Sequence, residues 1–327
     1  MILVNIGYAL IMKYALSPTE LAELVKKNRP AVSMHFREKT IPMGGKRTGI
    51  HPADINQYLK KRGMDYNFKV ISRLNLRGGC GKTTAAVSLA TRAKQYGHNV
   101  CILDLDSQAS ATLTFNIVAE DDQMVFFDVY EDPKKVKKAL VEIEPNLSIL
   151  PSSLNNGVLD SHFSSKPKLI KTAVKNTCEE LKNLGFTLVI IDCSPSLSGA
   201  VISTICASDV IVIPVGSDVF SRRGLELTIN EVKNICETFS LPLPKLKILF
   251  SKYDGRENIS IEALSELNQD KYFSKLLLPC FIRTSSELPK AAKNGETIFA
   301  SFKRNTARDD YDMYARAILG LDKIKEL

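Results

Sequence analysis

A short apolar strand that runs straight into a glycine-rich turn, with a helix directly after it, leaves few architectures open. In this chain Val70–Leu74 leads into Asn75-Leu76-Arg77-Gly78-Gly79-Cys80-Gly81-Lys82-Thr83-Thr84, and helix-forming residues follow. A bound polyphosphate needs backbone N–H groups turned inward, in a loop tight enough that no side chain intervenes. Gly78, Gly79 and Gly81 supply that freedom, and the following helix adds the positive end of its dipole. Lys82 is then placed to neutralise β/γ-phosphate oxygens, and the Thr83 hydroxyl to hold Mg²⁺. Arg77, Gly78, Gly79, Cys80, Gly81, Lys82, Thr83 and Thr84 are therefore the expected nucleotide-contacting segment. A glycine-rich turn that merely precedes Lys-Thr gives no reason for the strand–loop–helix order.

Downstream, short continuous apolar runs recur at Val70–Leu74, Val100–Leu105, Leu147–Leu150, Thr187–Ile191, Asp209–Val215 and Leu246–Phe250. Continuous rather than alternating runs are expected of strands covered on both faces. Helical stretches separate most of them, at Lys82–Tyr96 (with Gly97 as its cap), Lys168–Leu184 and Arg222–Phe239. This rhythm predicts an α/β fold, a doubly wound and mostly parallel sheet. The lysine run Lys134-Lys135-x-Lys137-Lys138 reads as a solvated helix face.

Two of these runs end in carboxylates. Asp104-Leu105-Asp106-Ser107-Gln108-Ala109-Ser110 follows the second strand, and a carboxylate there can orient a water for in-line attack on a γ-phosphate. Alternatively, the pair simply caps the next helix. Leu188-Val189-Ile190-Ile191-Asp192 has the form of a Walker B segment, its aspartate placed to hold Mg²⁺ directly or through water.

A standard Walker A would carry glycine where this chain has Leu76. The loop instead resembles the deviant form K-G-G-x-G-K-T-T of the ParA/MinD family of P-loop NTPases. The resemblance covers about residues 69–322. Its loop is highly specific, its two aspartate motifs less so, and its late segments (Ile211–Val215 with Arg222–Leu225, Leu249–Asp254, and Ile282–Ala292 near the nucleotide base) the least. It implies ATP and Mg²⁺ as cofactors, Thr83 and Asp192 as magnesium residues, and Lys82, Asp106 and Arg77 as catalytic residues. Asp106 would position water, with Asp104 structural or behind the metal. The family's signature lysine crosses a dimer interface to the partner's nucleotide, and here that position is Arg77. Arginine keeps the charge but brings a forked donor array and a different reach. Arg73 and Ser194 also depart from the pattern, where an apolar residue and a proline are usual.

Ahead of the nucleotide segment the charge balance changes. Residues 1–67 carry eleven Lys/Arg against five Asp/Glu, a net of +6 out of the chain's +8. A basic excess confined to a leading segment suggests an anionic partner, nucleic acid first. Ser17-Pro18 starts one helix, Asn28-Arg29-Pro30 breaks it, and Ala31–Lys39 forms a second. Met43–Arg47 makes a loop or β-wing, and a third helix spans Ala53–Arg62. Against a helix-turn-helix template, Arg29, Ser33, His35 and Arg37 lie around the second helix and face DNA. A small helical docking domain is the competing reading. The expected organisation is thus an apolar leader at 1–16, a helix-turn-helix and linker at 17–67, and a ParA-type ATPase domain at 68–327. Larger partition ATPases of this family carry such a leading unit and use it on their own operator.

Seven scattered cysteines with no C-x-x-C pair imply neither disulfides nor zinc, and make no case for an iron–sulfur role. Met1–Met12 is too short to span a bilayer and lacks a basic flank. The cytoplasm is the expected compartment, with nucleoid association through DNA. The resemblance implies an ATP-driven homodimer that binds DNA non-specifically and is stimulated by a ParB-like centromere-binding partner. A nucleotide-dependent operator repressor with little transport activity is the second reading. A MinD-like membrane-cycling ATPase is the third. The tail Ala317–Leu327 has a glycine, two acids and no aromatic, which disfavours stable membrane association.

Overall fold

A computed structural model describes residues 12–43, 47–120, 122–218, 221–301 and 303–323. β1 (Thr40–Pro42) and β2 (Thr48–Ile50) form an antiparallel hairpin. The remaining strands are β3 (Lys69–Arg73), β4 (Val100–Asp104), β5 (Val141–Glu144), β6 (Leu147–Leu150), β7 (Leu188–Asp192), β8 (Val210–Val215), β9 (Lys245–Tyr253) and β10 (Leu277–Arg283). They make one sheet in the order β10-β9-β8-β3-β7-β4-β6-β5, parallel except for β5 at its edge. Helices cover both faces, so the central strands β4 and β7 are buried at every residue. This is the doubly wound α/β architecture.

The order has a direct chemical consequence. β3 lies between β7 and β8, so the loop after β3 emerges beside the ends of both neighbours. Arg73 is in register with Asp192, and Asp192 with Asp104. Two carboxylates and the glycine-rich loop thus meet at one edge of the sheet, the carboxyl ends of its parallel strands.

Helix boundaries differ from expectation in places. The stretch Lys168–Leu184 divides into Pro167–Ile170 and Ala173–Asn183. The second leading helix is Arg29–His35 rather than 31–39, because the Asn28 side chain caps it and accepts from the Ala31 N–H. β5 is not among the continuous apolar runs because at the sheet edge it reads Val-Glu-Ile-Glu, with Glu144 buried against Lys94. The lysines at 134, 135, 137 and 138 are exposed around buried Val136 and Ala139, a solvated face as expected.

The leading segment is part of the main body. Ser17 and Glu20 form a reciprocal capping box at the start of helix Pro18–Leu24. Leu16 bridges Ile50, which ties the hairpin to the segment leading into helix Pro18–Leu24; residues 44–46 of the expected wing lie outside the described residues. Tyr14, Leu16, Leu21, Val32, Phe36, Ile55 and Leu59 share one buried cluster with Ala85 and Leu89 of helix Lys82–Gln95 and with Tyr96, which caps that helix. Of the expected leader, residues 1–11 lie outside the described residues, while Met12, Tyr14, Ala15 and Leu16 are core: Leu16 is fully buried and the Tyr14 hydroxyl accepts from the Thr297 N–H. The expected linker is also packed. Met64 is buried, and the Tyr66 hydroxyl donates to the Tyr96 carbonyl at 2.7 Å. Gly97 (φ +86°) is required at the contact, since a Cβ there would lie 2.6 Å from the Asn56 nitrogen.

Buried charges reinforce this junction. Arg92 reaches Glu20 at 3.0 Å and Asp312 at 2.6 Å; Arg308 also reaches Glu20, at 2.5 Å. Lys94, with no exposed surface, pairs with Glu144 at 2.6 Å and donates to the Tyr14 carbonyl.

Candidate functional site

The loop from Asn75 to Gly81 is held from several sides. Asn75 donates to the Pro214 carbonyl at 2.7 Å and accepts from the Arg77 N–H at 3.0 Å. The Leu76 N–H donates to the Thr228 hydroxyl at 3.3 Å, tying the loop to helix Ser221–Thr238. Gly79 (φ +74°) and Gly81 (φ +86°) take left-handed conformations that a side chain would disfavour. Gly81 is also the N-cap of helix Lys82–Gln95, so the helix dipole points into the loop. Lys82 is largely buried, and its ammonium donates to the Asn75 carbonyl at 3.1 Å and the Arg77 carbonyl at 2.8 Å. Burial pushes the Cys80 thiol up, against the pull of the Lys82 charge.

Arg77 extends from the front of this loop and pairs with Asp218 in the segment after β8. Asp218 was not singled out in the sequence, because the two residues lie 141 positions apart and meet only through the β3–β8 pairing.

Behind the loop lie the carboxylates. Asp104 is buried; it accepts from the Thr112 N–H and hydroxyl at 2.9 and 2.7 Å and from the Asp106 N–H at 3.2 Å. Burial, then the charge of Asp192, raises its pKa. Asp192 is equally buried, and both its oxygens lack a hydrogen-bond partner among the described residues. Burial raises its pKa too, against the pull of the nearby Thr83 hydroxyl and the Lys82 and Arg73 charges. An orphaned carboxylate beside a threonine hydroxyl suits a divalent cation, whose charge would satisfy it. No cluster of three or more His, Cys, Asp or Glu able to hold a metal exists among the described residues. Magnesium bound through one hydroxyl, one carboxylate and phosphate oxygens needs none. Asp106 is half-buried at the mouth of the site. Its backbone carbonyl accepts from Ser152 at 2.7 Å, and its carboxylate from the Gln108 N–H at 3.0 Å.

Next to Gly81 and Thr84 a cavity of about 290 Å³ opens, walled by Val87, Lys252, Thr284, Leu288 and Pro289. Its apolar walls and position beside the loop suit a flat heterocyclic base. Arg73, the departure in β3, is fully buried against the Tyr314 ring at 5.7 Å and donates to the Ile71 carbonyl; its Nε and one terminal nitrogen have no partner among the described residues.

The residues expected to face DNA separate into two groups. Arg29 and Ser33 line a cavity of about 620 Å³ shared with Arg304, Arg308 and Arg316 of the C-terminal segment. His35 is exposed on another side, packed against Phe36 and Tyr58, with ring centroids 4.7 and 5.3 Å away. Arg37 is exposed.

A glycine-rich loop between a parallel central strand and a helix, with aspartates at the ends of the adjoining strand β7 and of β4 beyond it, defines a P-loop nucleotide-binding protein. Residues 68–248 match the AAA_31 family (AAA domain). The chain belongs to that family and, within it, to the ParA/MinD-type ATPases. It is 28% identical over 248 residues to the sporulation initiation inhibitor protein Soj of Bacillus subtilis, covering 74% of this chain and 95% of that protein. The fold resembles that of McdA from Cyanothece in complex with ATP (TM-score 0.69, 20% identity, covering 80% of this chain and 98% of that one). It also resembles cobyrinic acid a,c-diamide synthase from Mycobacterium smegmatis with a bound ATP analogue and magnesium (TM-score 0.65, 22% identity, 77% and 94%). Because the latter is a biosynthetic enzyme, shared fold alone does not set the task. No helix among the described residues is long and apolar enough to cross a membrane.

Proposed function

We propose that this protein is an ATP-dependent DNA partition ATPase, in which hydrolysis of Mg-ATP drives a cycle of dimerisation and DNA binding. The convergence of Lys82, Thr83, Asp106 and Asp192 on the loop after β3 carries the reading. In it, the loop amides and Lys82 hold the β/γ-phosphates, Thr83 and Asp192 hold magnesium, and the base enters the cavity beside Thr84. Magnesium supplies charge neutralisation on the phosphate oxygens. Asp106 orients the attacking water, and Arg77 acts on the nucleotide of the partner subunit in the homodimer. DNA is met in two ways: operator DNA through the leading segment, with Arg29, Ser33, His35 and Arg37 at its surface, and DNA of any sequence through the ATP dimer. Such a protein works in the cytoplasm on the nucleoid, represses its own operon, and is stimulated by a ParB-like centromere-binding partner. The net charge of +6 on residues 1–67 supports the operator role.

One observation favours a nucleotide-dependent repressor with little transport activity: Arg77 is engaged by Asp218 of its own chain. ATP turnover measured with and without duplex DNA and the partner protein of the same operon separates the readings. A partition ATPase accelerates with both together, whereas a repressor stays slow and only changes its operator affinity.

A further inference from the structure

The site leaves one contact unexplained. Arg77 stands five residues before Lys82, on a loop whose other cation is turned inward onto the loop carbonyls. Its guanidinium faces outward, more than a third exposed, and pairs with the half-exposed carboxylate of Asp218. The two meet because parallel β3 and β8 are adjacent, so the segments that follow them leave the sheet at the same edge. The front of the loop is also bonded to this region through Asn75 to the Pro214 carbonyl and Leu76 to Thr228. A guanidinium paired with a carboxylate is a poor donor to phosphate, because the carboxylate repels the incoming oxygens and occupies the fork.

We infer that Asp218 is a positioning residue for Arg77: it holds the guanidinium within its own subunit, and that contact is given up when Arg77 crosses to the partner's nucleotide. This rests on the reading of Arg77 as a trans-acting residue. An exposed ion pair is weak, so Asp218 is a brake that ATP overcomes rather than a lock. Because both subunits give up the pair, its removal should shift the dimerisation balance by about two- to thirtyfold. The brake raises the protein concentration at which turnover is half-maximal and keeps the isolated subunit idle.

The test measures Mg-ATP turnover against concentration of the full chain, with sedimentation in parallel, for Asp218→Asn, Asp218→Glu, Arg77→Ala and the double variant Arg77→Ala/Asp218→Asn. Asp218→Asn is expected to reach half-maximal turnover and dimerisation at about two- to thirtyfold lower protein concentration, with KM for ATP unchanged. Asp218→Glu should restore wild-type behaviour, and the double variant should match Arg77→Ala. An Asp218→Asn protein with an unchanged or raised half-maximal concentration overturns the inference. So does an Asp218→Asn effect that persists when Arg77 is absent. Failure of the underlying reading has a separate signature: Arg77→Ala then dimerises and turns over like wild type, whatever Asp218→Asn does.

Discussion

Replacing Glu20 with glutamine tests whether the leading segment is fastened to the nucleotide domain by charge. The Glu20 carboxylate accepts from the Ser17 N–H and hydroxyl at 3.0 and 2.8 Å, from Arg92 at 3.0 Å and from Arg308 at 2.5 Å. Burial alone would raise its pKa, but Arg92, Arg308 and Ser17 outweigh that and bring it from 4.5 down to about 2. At ~1.4 kcal/mol per unit, the ionised form stabilises the native state by about 3 kcal/mol at neutral pH. Because the folded pKa lies below the unfolded one, this stability is fully present above about pH 4.5 and is lost as the pH falls through about 2. Near pH 3 it should have dropped to about 1.4 kcal/mol. Glutamine keeps the shape and removes the charge, so Glu20→Gln should unfold at about 1 M less urea at pH 7, given a slope of roughly 3 kcal/mol per molar. The deficit should be less than half as large at pH 3. Circular dichroism across a urea series at both pH values gives the answer. A variant with the wild-type midpoint at pH 7, or a deficit that does not shrink in acid, would refute the reasoning.

Lys82→Ala should abolish Mg-ATP binding or weaken it severely, read by isothermal titration, since the loop loses its fixed charge at the β/γ oxygens. Asp106→Ala should still bind ATP yet lose most turnover and sediment as a trapped dimer, because orienting water affects rate more than affinity. Operator binding should fall steeply with added salt through counterion release, and Arg29→Ala should reduce the salt slope in electrophoretic titrations. Deleting residues 1–67 should yield a destabilised, aggregating protein rather than an intact ATPase domain. The deletion strips Arg92, Lys94 and Arg308 of buried partners, so a truncated chain melting near the wild-type temperature would count against the fold described above.

The nucleotide loop was legible because everything that makes it is local: a buried strand, glycines where φ must be positive, and a helix that starts at Lys82. Asp104 and Asp192 were legible for a similar reason, each ending an apolar run. What escaped the sequence depends on which distant strands are neighbours. The pairing of Arg77 with Asp218 follows from β3 lying beside β8, which no local pattern announces. Arg92, Lys94 and Gln95 look like the solvated last turn of a helix, yet all three are buried because residues 12–25 cover them. Arg73 stood out as a departure from its family, and its burial beside Tyr314 shows where the side chain goes without revealing a use for it.

The contacts that join Glu20 to Arg308 and Tyr14 to Thr297 close rings of 288 and 283 residues. On a ribosome the first of these residues leaves the tunnel long before its partner exists. Arg92 must therefore wait for Asp312, and the apolar surface under helix Thr306–Leu319 stays open until that helix is made. Contacts of such sequence separation slow folding, because the whole intervening chain must be arranged before they form. The nascent protein can shape its phosphate loop early, but it completes the junction with the leading segment only once helix Thr306–Leu319 has been made, and a chain stopped short of that helix should go to chaperones and proteases.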